Sequence, residues 1–150
     1  MCLYPQTGRS AGEEASSTYE GRHLTVVESE LTHPSHTDGY VDKGDPVIHS
    51  TGTGAYTVGV AFKSASAATD VIAIDTEGIW FETVYGLNDA GNSAVAAGDA
   101  LYINKSTCVL SKISNPITNI PYGFALDAVV SGTSEVIAVK VHNDFPPLLS

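Results

Sequence analysis

The feature that most constrains this sequence is an internal repeat, in which three short blocks recur in the same order. Their second copies lie at offsets of 54, 64 and 65 residues from the first. The blocks pair residues 41–48 (VDKGDPVI) with 95–103 (VAAGDALYI), 58–62 (VGVAF) with 122–126 (YGFAL), and 69–74 (TDVIAI) with 134–139 (SEVIAV). One such match would carry little weight, but three in one order indicate two copies of a single unit.

The composition of each block indicates how the unit folds. A Gly-Asp pair is typical of a tight turn, because glycine tolerates positive φ and aspartate accepts a local backbone hydrogen bond. The Gly-x-Ala segments that begin at Gly59 and Gly123 leave room for another backbone to approach closely. The last block is continuously apolar, which predicts a strand that is buried on both faces.

The rest of the chain has the residue pattern of a β protein. Runs rich in Val, Ile, Thr and Tyr are interrupted roughly every 8–12 residues by Gly, Asp, Asn or Pro. Besides a short strand at 24–27, the candidate strands are 46–49, 56–61, 71–75, 78–84, 100–103, 109–113, 123–129 and 135–142. We therefore predict an all-β fold: a small β-barrel or β-sandwich-like domain built from an internal duplication, with an extended N-terminal arm.

The change of composition along the chain predicts three regions. Residues 1–40 form an arm that is extended or disordered by itself, because residues 8–22 are polar and lack an apolar period. Residues 41–143 form the β-domain, with repeat units at about 41–75 and 95–142. Residues 144–150 form a C-terminal tail.

The charge balance argues against two classes of partner. Seven basic residues face seventeen acidic ones, for a net charge of −10. Nucleic acids and anionic membranes are bound by basic patches, so we expect neither as a partner. The sequence shows no apolar run long enough for a membrane span and no secretory signal at its start, so we expect synthesis in a cytoplasm.

The residues offer little support for catalysis. His33 and His36 could present two imidazoles to a metal ion, but the nearest acid is Asp38, and a solvated loop is the simpler interpretation. Cys2 and Cys108 are expected to be unpaired thiols. Carboxylates such as Asp45 and Asp99 occupy repeat-related turns, which fits turn structure better than an asymmetric active site. We predict no enzyme, no catalytic residue, no cofactor and no metal.

Two sets of residues are candidates for contacts with other proteins. Leu24, Val26 and Val27 are the apolar residues of the segment 16–30, and we predict that they dock the arm on a partner. Trp80 lies between the two copies, in a strand with apolar residues on both faces. It is interpreted either as part of a central core strand or as part of a subunit interface, where aromatic residues are enriched.

The ordered motifs resemble a known family, the head decoration or capsid cement proteins of tailed bacteriophages. The resemblance covers roughly residues 41–142 and rests on the segments GDPVI (44–48), VGVA (58–61), VIAI (71–74), EGIWF (77–81), AGDALY (97–102), YGFAL (122–126) and VIAVKV (136–141). It implies a β-barrel-like domain that assembles as a homotrimer on the outer surface of the virion capsid, binds the major capsid protein and stabilises the expanded shell. The family has no catalytic residues to carry over.

A β-sandwich module that binds a glycan or a host surface is the alternative function. Tyr40, Tyr56, Tyr85 and Trp80 are the aromatic residues that could serve it. The two hypotheses differ in where the apolar residues lie, since a clamp needs a subunit interface and a glycan binder needs an open aromatic groove.

Overall fold

The computed structural model describes residues 10–16, 23–52 and 54–142 of the chain. Thirteen strands and one 3-10 turn, Glu28–Glu30, make up its regular structure. The strands are β1 Glu14–Ser16, β2 His23–Val27, β3 Leu31–Thr32, β4 Pro46–Gly52, β5 Ala55–Ala61, β6 Val71–Asp75, β7 Ile79–Tyr85, β8 Leu87–Asn88, β9 Gly91–Asn92, β10 Ala100–Asn104, β11 Leu110–Ser111, β12 Asn119–Ala125 and β13 Ser134–Val141. The all-β prediction is confirmed.

Five strands close into a barrel. The sheet order is β1-β7-β11-β10-β12-β13, and a further pairing of β13 with β7 closes the ring of five strands from β7 to β13, with β1 added to β7. β7 pairs with β13 along its whole length and with β11 at Val84, while β1 pairs with the start of β7. β7 is therefore a central strand, and both Trp80 and Phe81 are buried on its opposite faces.

A second, antiparallel sheet packs against the barrel, with the order β2-β6-β5-β4-β3. Ile48, Val58 and Val60 face the barrel and belong to the same core as its interior residues. The other face of this sheet carries a smaller core, which includes Val26 and Ile72. The prediction of burial on both faces is wrong for β6, because Ile72 and Ile74 are buried on one face while Val71, on the other, is 51% exposed. In the second copy it holds, since the consecutive residues 137–139 of β13 are all buried.

The internal duplication is confirmed by the strand register. The first copy supplies β4, β5 and β6 to the five-stranded sheet, and the second supplies β10, β12 and β13 to the barrel. Equivalent residues pair in the same way in both copies. Val47 pairs with Gly59 in the first copy, and their equivalents Leu101 and Gly123 pair in the second. Likewise Ala61 pairs with Ile74, and Ala125 pairs with Val139.

The turns of the two copies are equally alike. The Gly44 N–H donates to the Ala61 carbonyl at 2.8 Å, and the Gly98 N–H donates to the Ala125 carbonyl at 2.7 Å. Both glycines have positive φ, 89° and 94°. Each Gly-Asp pair therefore forms the predicted turn, and that turn is bonded to the end of the strand it pairs with.

The strand boundaries differ from the sequence prediction in one informative place. A strand was expected over 123–129, whereas β12 runs from Asn119 to Ala125 and contains Pro121. Proline lacks a backbone N–H, which argues against a central strand. Here Pro121 lies opposite Tyr102, where the register between β10 and β12 shifts, so the strand continues through an irregularity.

The structure also places several parts of the predicted arm. Residues 23–32 contribute β2, the 3-10 turn and β3 to the five-stranded sheet, while β1 pairs with the barrel. Residues 1–9 and 17–22, Cys2 and the predicted tail 144–150 lie outside the described residues. In the described part of the chain, no helix has the length and apolarity that crossing a membrane requires.

Candidate functional site

The repeat-related carboxylates are turn residues, as their spacing predicted. The Asp45 carboxylate accepts the Asp42 N–H at 2.8 Å, and the Asp99 carboxylate accepts the Ala96 N–H at 2.9 Å. The hydrogen bond from Ala96, together with Lys112 at 3.2 Å, lowers the pKa of Asp99. These groups stabilise the two turns, and their duplicated geometry does not form one reaction centre.

The two turns differ in their partners. Asp99 faces Lys112, whereas Asp45 Oδ2 lies 2.6 Å from His36 Nε2. Burial raises the pKa of Asp45 and outweighs the opposing effect of its hydrogen bonds. Burial lowers the pKa of His36, but the hydrogen bond to Asp45 and the nearby carboxylates outweigh it, so the net shift is upward.

The two histidines of the loop 33–45 lie together. Their rings are stacked, with centroids 6.1 Å apart. His33 Nε2 lies 3.0 Å from the carboxylate of buried Glu28, and His36 contacts Asp45 and Asp42. The sequence suggested Asp38 as the third member of any metal site, but the structure brings Asp45 to the two imidazoles instead.

The barrel encloses a second polar cluster. Glu82 lies between Trp80 and Val84 along β7 and is buried on the same face, near Tyr122. Glu82 Oε1 and the Tyr122 hydroxyl have no hydrogen-bond partner among the described residues. Burial raises the pKa of Glu82 well above its usual range, which favours the neutral form of this carboxyl.

A cleft of about 270 Å³ connects these two clusters, since Pro34, Asp45, Glu82 and Cys108 all line it. Cys108 follows the polar residues 105–107, yet its side chain is buried and its S–H donates to the Thr32 carbonyl at 3.3 Å. Burial raises the pKa of this thiol to about 12. Because the thiolate is the nucleophilic form, Cys108 is unsuited to nucleophilic catalysis at neutral pH.

The predicted docking residues lie in or beside β2. Val26 is buried in the second core, and Leu24 packs against that core, so both side chains point into the domain. Val27 is half-buried, and Thr25 is exposed on the opposite face of the strand. The docking role of Leu24, Val26 and Val27 stays a prediction. Thr25, which lies among them on β2, has an exposed side chain that a partner could contact.

Trp80 lies inside the chain's own core and is 1% exposed. Its ring packs edge-on against Phe62, with centroids 5.4 Å apart, and Phe62 in turn packs against the His23 ring. The indole therefore links the barrel to the start of β2. These contacts support the core interpretation of Trp80. Its role in a subunit interface stays a prediction, and the side chain has almost no exposed surface to support it.

Among the described residues, several large apolar side chains reach the surface, and the sequence pointed only to Tyr56 and Tyr85 of them. Ile117 is 80% exposed and Val130 is 64% exposed, and both lie in turns between strands. Val71 and Phe124 are exposed as well. The only available signal was a lone apolar residue in a polar turn, as in Asn115-Pro-Ile-Thr118, which is too common to identify a surface.

A comparison with known families agrees with this architecture. A family model described as phage cement protein matches residues 27–141, from the last residue of β2 to the last residue of β13. The chain belongs to the phage cement protein family. The resemblance read from the ordered motifs is thereby confirmed.

The match covers both copies of the repeat and leaves Leu24 and Val26 outside it. Phage cement proteins are structural proteins of the capsid, so this cement protein is a virion component that associates with the phage capsid. No curated protein matches the chain. No solved structure matches it either.

Proposed function

We propose that this cement protein binds the outer surface of the phage head as a homotrimer, contacts the major capsid protein and stabilises the expanded shell without catalysing a reaction. The observation that carries the proposal is the family match, which spans both repeat copies and every strand from β3 to β13. Decoration of the outside of the shell is the role that the motif resemblance implies for such a domain.

The architecture suits a protein that resists mechanical force. A closed barrel removes the free edges of a sheet, and the second sheet covers part of it with a continuous apolar core. Pressure from packaged DNA pushes capsid subunits apart, and a trimer that holds three sites resists this separation. Once one site is bound the others bind intramolecularly, so avidity can exceed single-site affinity by ~10²–10⁴.

The contact with the capsid is proposed to use β2. This strand ends the order of the five-stranded sheet, and no described strand pairs with its outer edge. Such an edge can accept an added strand through main-chain hydrogen bonds. Leu24 and Val26 would then hold β2 against its own core, while the edge and the exposed Thr25 face the capsid.

The contact between subunits is proposed to use the end of β7 where Tyr85 and Val130 are exposed. The Gly86 N–H donates to the Thr133 carbonyl at 2.8 Å, and the Gly132 N–H donates to the Gly86 carbonyl at 2.9 Å. These bonds hold the two apolar side chains on one rigid end of the barrel. Aromatic residues are enriched at interfaces, and a pre-ordered patch loses little entropy on association.

The glycan-binding alternative has less support from the aromatic residues. Trp80 is buried, and the exposed Tyr56 ring lies beside Lys105, whose Nζ is 5.5 Å from the ring centroid. A sugar-binding groove needs aromatic faces open to solvent, and Trp80 offers none. Binding to a glycan array by protein that fails to bind heads would favour this alternative.

Electron cryomicroscopy of decorated heads tests the trimer. We expect three copies around each three-fold or local three-fold position on the outside of the shell. Val130→Asp should abolish this grouping, whereas Ile117→Asp, which places the same charge on another exposed turn, should preserve it. Density from single, separated copies would contradict the trimer, and loss of grouping in Ile117→Asp alone would contradict the assigned interface.

A further inference from the structure

We propose that His33, His36 and Asp45 bind one divalent transition-metal ion, with zinc as the best match to their ligand chemistry. This site is independent of the proposed decoration function. The sequence prediction of no metal depended on the lack of a convincing third ligand beside the histidine pair. The fold supplies that ligand from the Gly44-Asp45 turn of the first repeat copy.

The geometry of the three residues suits one ion. One ligand atom from each of His33, His36 and Asp45 lies within 4.8 Å of the other two. Tetrahedral zinc with bonds of about 2.0–2.2 Å separates its ligand atoms by about 3.3–3.5 Å. The His36 Nε2 to Asp45 Oδ2 distance is 2.6 Å, so these two side chains would have to rotate apart to admit the ion.

The hydrogen bonds of His33 leave one of its nitrogens for a cation. Its Nδ1 lies 2.8 Å from the Pro34 carbonyl, which can only accept, so Nδ1 carries the hydrogen. In the neutral ring Nε2 then presents a lone pair, yet it faces the Glu28 carboxylate at 3.0 Å. Two acceptors at this distance require a positive charge between or beside them, and either a proton or a metal ion supplies it.

His36 shows the same arrangement. Its Nε2 faces Asp45 Oδ2 at 2.6 Å and its Nδ1 faces Asp42 Oδ2 at 3.3 Å. With the hydrogen on Nδ1, Asp42 fixes the tautomer and Nε2 is left to bind the ion beside Asp45. Metal-binding histidines are commonly oriented in this way by a carboxylate or a backbone carbonyl on the other nitrogen.

The local charge also favours a dication. Glu28, Asp42 and Asp45 contact the two rings, and the charge of Asp38 acts on His36. Lys43 is the nearest lysine in sequence, and its side chain is exposed. Two imidazoles with a carboxylate suit zinc, nickel or cobalt rather than calcium or magnesium, which prefer oxygen ligands. The fourth position would be taken by water.

The ion would cross-link the chain before β4. It would join the segment after β3 to the turn that starts the first repeat copy, and so fix the loop 33–45. Because the unfolded chain does not hold these ligands together, binding would raise the thermal midpoint of unfolding.

Titration of the untagged, chelator-treated protein with Co²⁺ and Zn²⁺ tests the proposal, by visible absorption for cobalt and by calorimetry for zinc. We expect one ion per chain, the strong absorption of tetrahedral cobalt, and a higher thermal midpoint with zinc. His36→Gln and His33→Gln should each weaken binding at least ~10-fold, as expected for loss of a direct ligand.

His49→Gln is the matched control, because it removes an imidazole that faces Glu30 at 3.0 Å outside the cluster, and it should bind like the parent protein. Circular dichroism checks the fold of each variant. If either His33→Gln or His36→Gln fails to fold, the metal affinity of the one that folds tests the proposal. The proposal is overturned if the parent protein binds less than one ion per ten chains. It is also overturned if both folded cluster variants bind as tightly as the parent, which would leave protons as the cations of this cluster.

Discussion

The indole N–H of Trp80 donates a hydrogen bond of 2.9 Å to Asp75 Oδ2, and both residues are buried. Asp75 ends β6 in the five-stranded sheet, and Trp80 lies near the start of β7 in the barrel. The other carboxylate oxygen of Asp75 accepts the N–H groups of Glu77 and Gly78, at 3.1 and 3.0 Å. One carboxylate therefore fixes the connection between the two sheets and orients the largest core side chain.

Disrupting this pair should destabilise the fold strongly. Trp80→Ala removes a buried ring and should lower the free energy of unfolding by roughly 3–5 kcal/mol. In a double-mutant cycle, Trp80→Phe and Asp75→Asn should show a coupling of about 1–3 kcal/mol, because either change removes or weakens the same buried hydrogen bond. Urea unfolding of the four proteins measures it. Additive losses would show that the hydrogen bond contributes nothing of its own.

Gly123 should tolerate no side chain. A Cβ there would overlap the carbonyl oxygen of Lys140 on β13, and a Cβ at its repeat equivalent, Gly59, would lie 2.7 Å from the Asp75 carbonyl oxygen. Gly123→Ala should therefore cost at least ~2 kcal/mol, because strand pairing has to open. Gly39→Ala is the control, since Gly39 has positive φ but open space around it. Thermal unfolding in which the control loses as much as Gly123→Ala would contradict the role given to Gly-x-Ala.

Glu82 should make stability depend on pH. Its pKa is raised well above the ordinary 4.5 by burial, with the charge of Asp45 adding to the effect. The folded chain thus retains a proton that the unfolded chain releases above about pH 4.5, so the free energy of unfolding falls as pH rises from there toward the folded pKa. Glu82→Gln should be more stable than the parent protein at pH 8 and nearly equal to it at pH 4. Parallel stability curves from pH 4 to 8 would contradict a buried, neutral carboxyl.

Thr25 should report on the proposed capsid contact. Thr25→Lys places a long charged side chain on the exposed face of β2 without entering the core, so the thermal midpoint should stay near that of the parent protein. Binding to heads should fall at least ~10-fold if the edge of β2 faces the capsid. Ile117→Lys adds the same charge on an exposed turn far from β2 in sequence and away from the proposed subunit contact, and it should bind normally. Full binding by Thr25→Lys would place the capsid contact elsewhere.

The sequence predicted what depends on local chemistry. Turn formation at Gly44 and Gly98, and close backbone approach at Gly59 and Gly123, follow from the properties of glycine, so their repetition identified the duplicated unit. The core interpretation of Trp80, one of the two that the sequence left open, followed from the apolar residues on both faces of its strand. The family resemblance followed from the order of these same motifs.

The sequence did not predict contacts that depend on how distant segments meet. His36 meets Asp45 because the loop 33–45 folds back on the first repeat turn, and neither residue carries a local signal of that pairing. Cys108 is buried by Thr32, 76 residues away, although its neighbours are polar. Val26 was assigned to an arm because residues 8–22 before it are polar and lack an apolar period, and only the pairing of β2 with β6 places it in a core.

The central claim is that this protein binds and stabilises the expanded head, and co-sedimentation tests it most directly. Purified protein is mixed with expanded, undecorated heads of the phage that encodes it, and the heads are pelleted and then heated. We predict saturable pelleting and a higher temperature of head disruption when the protein is bound. Protein that stays in the supernatant at all concentrations, with no change in the heat resistance of the heads, would contradict the account.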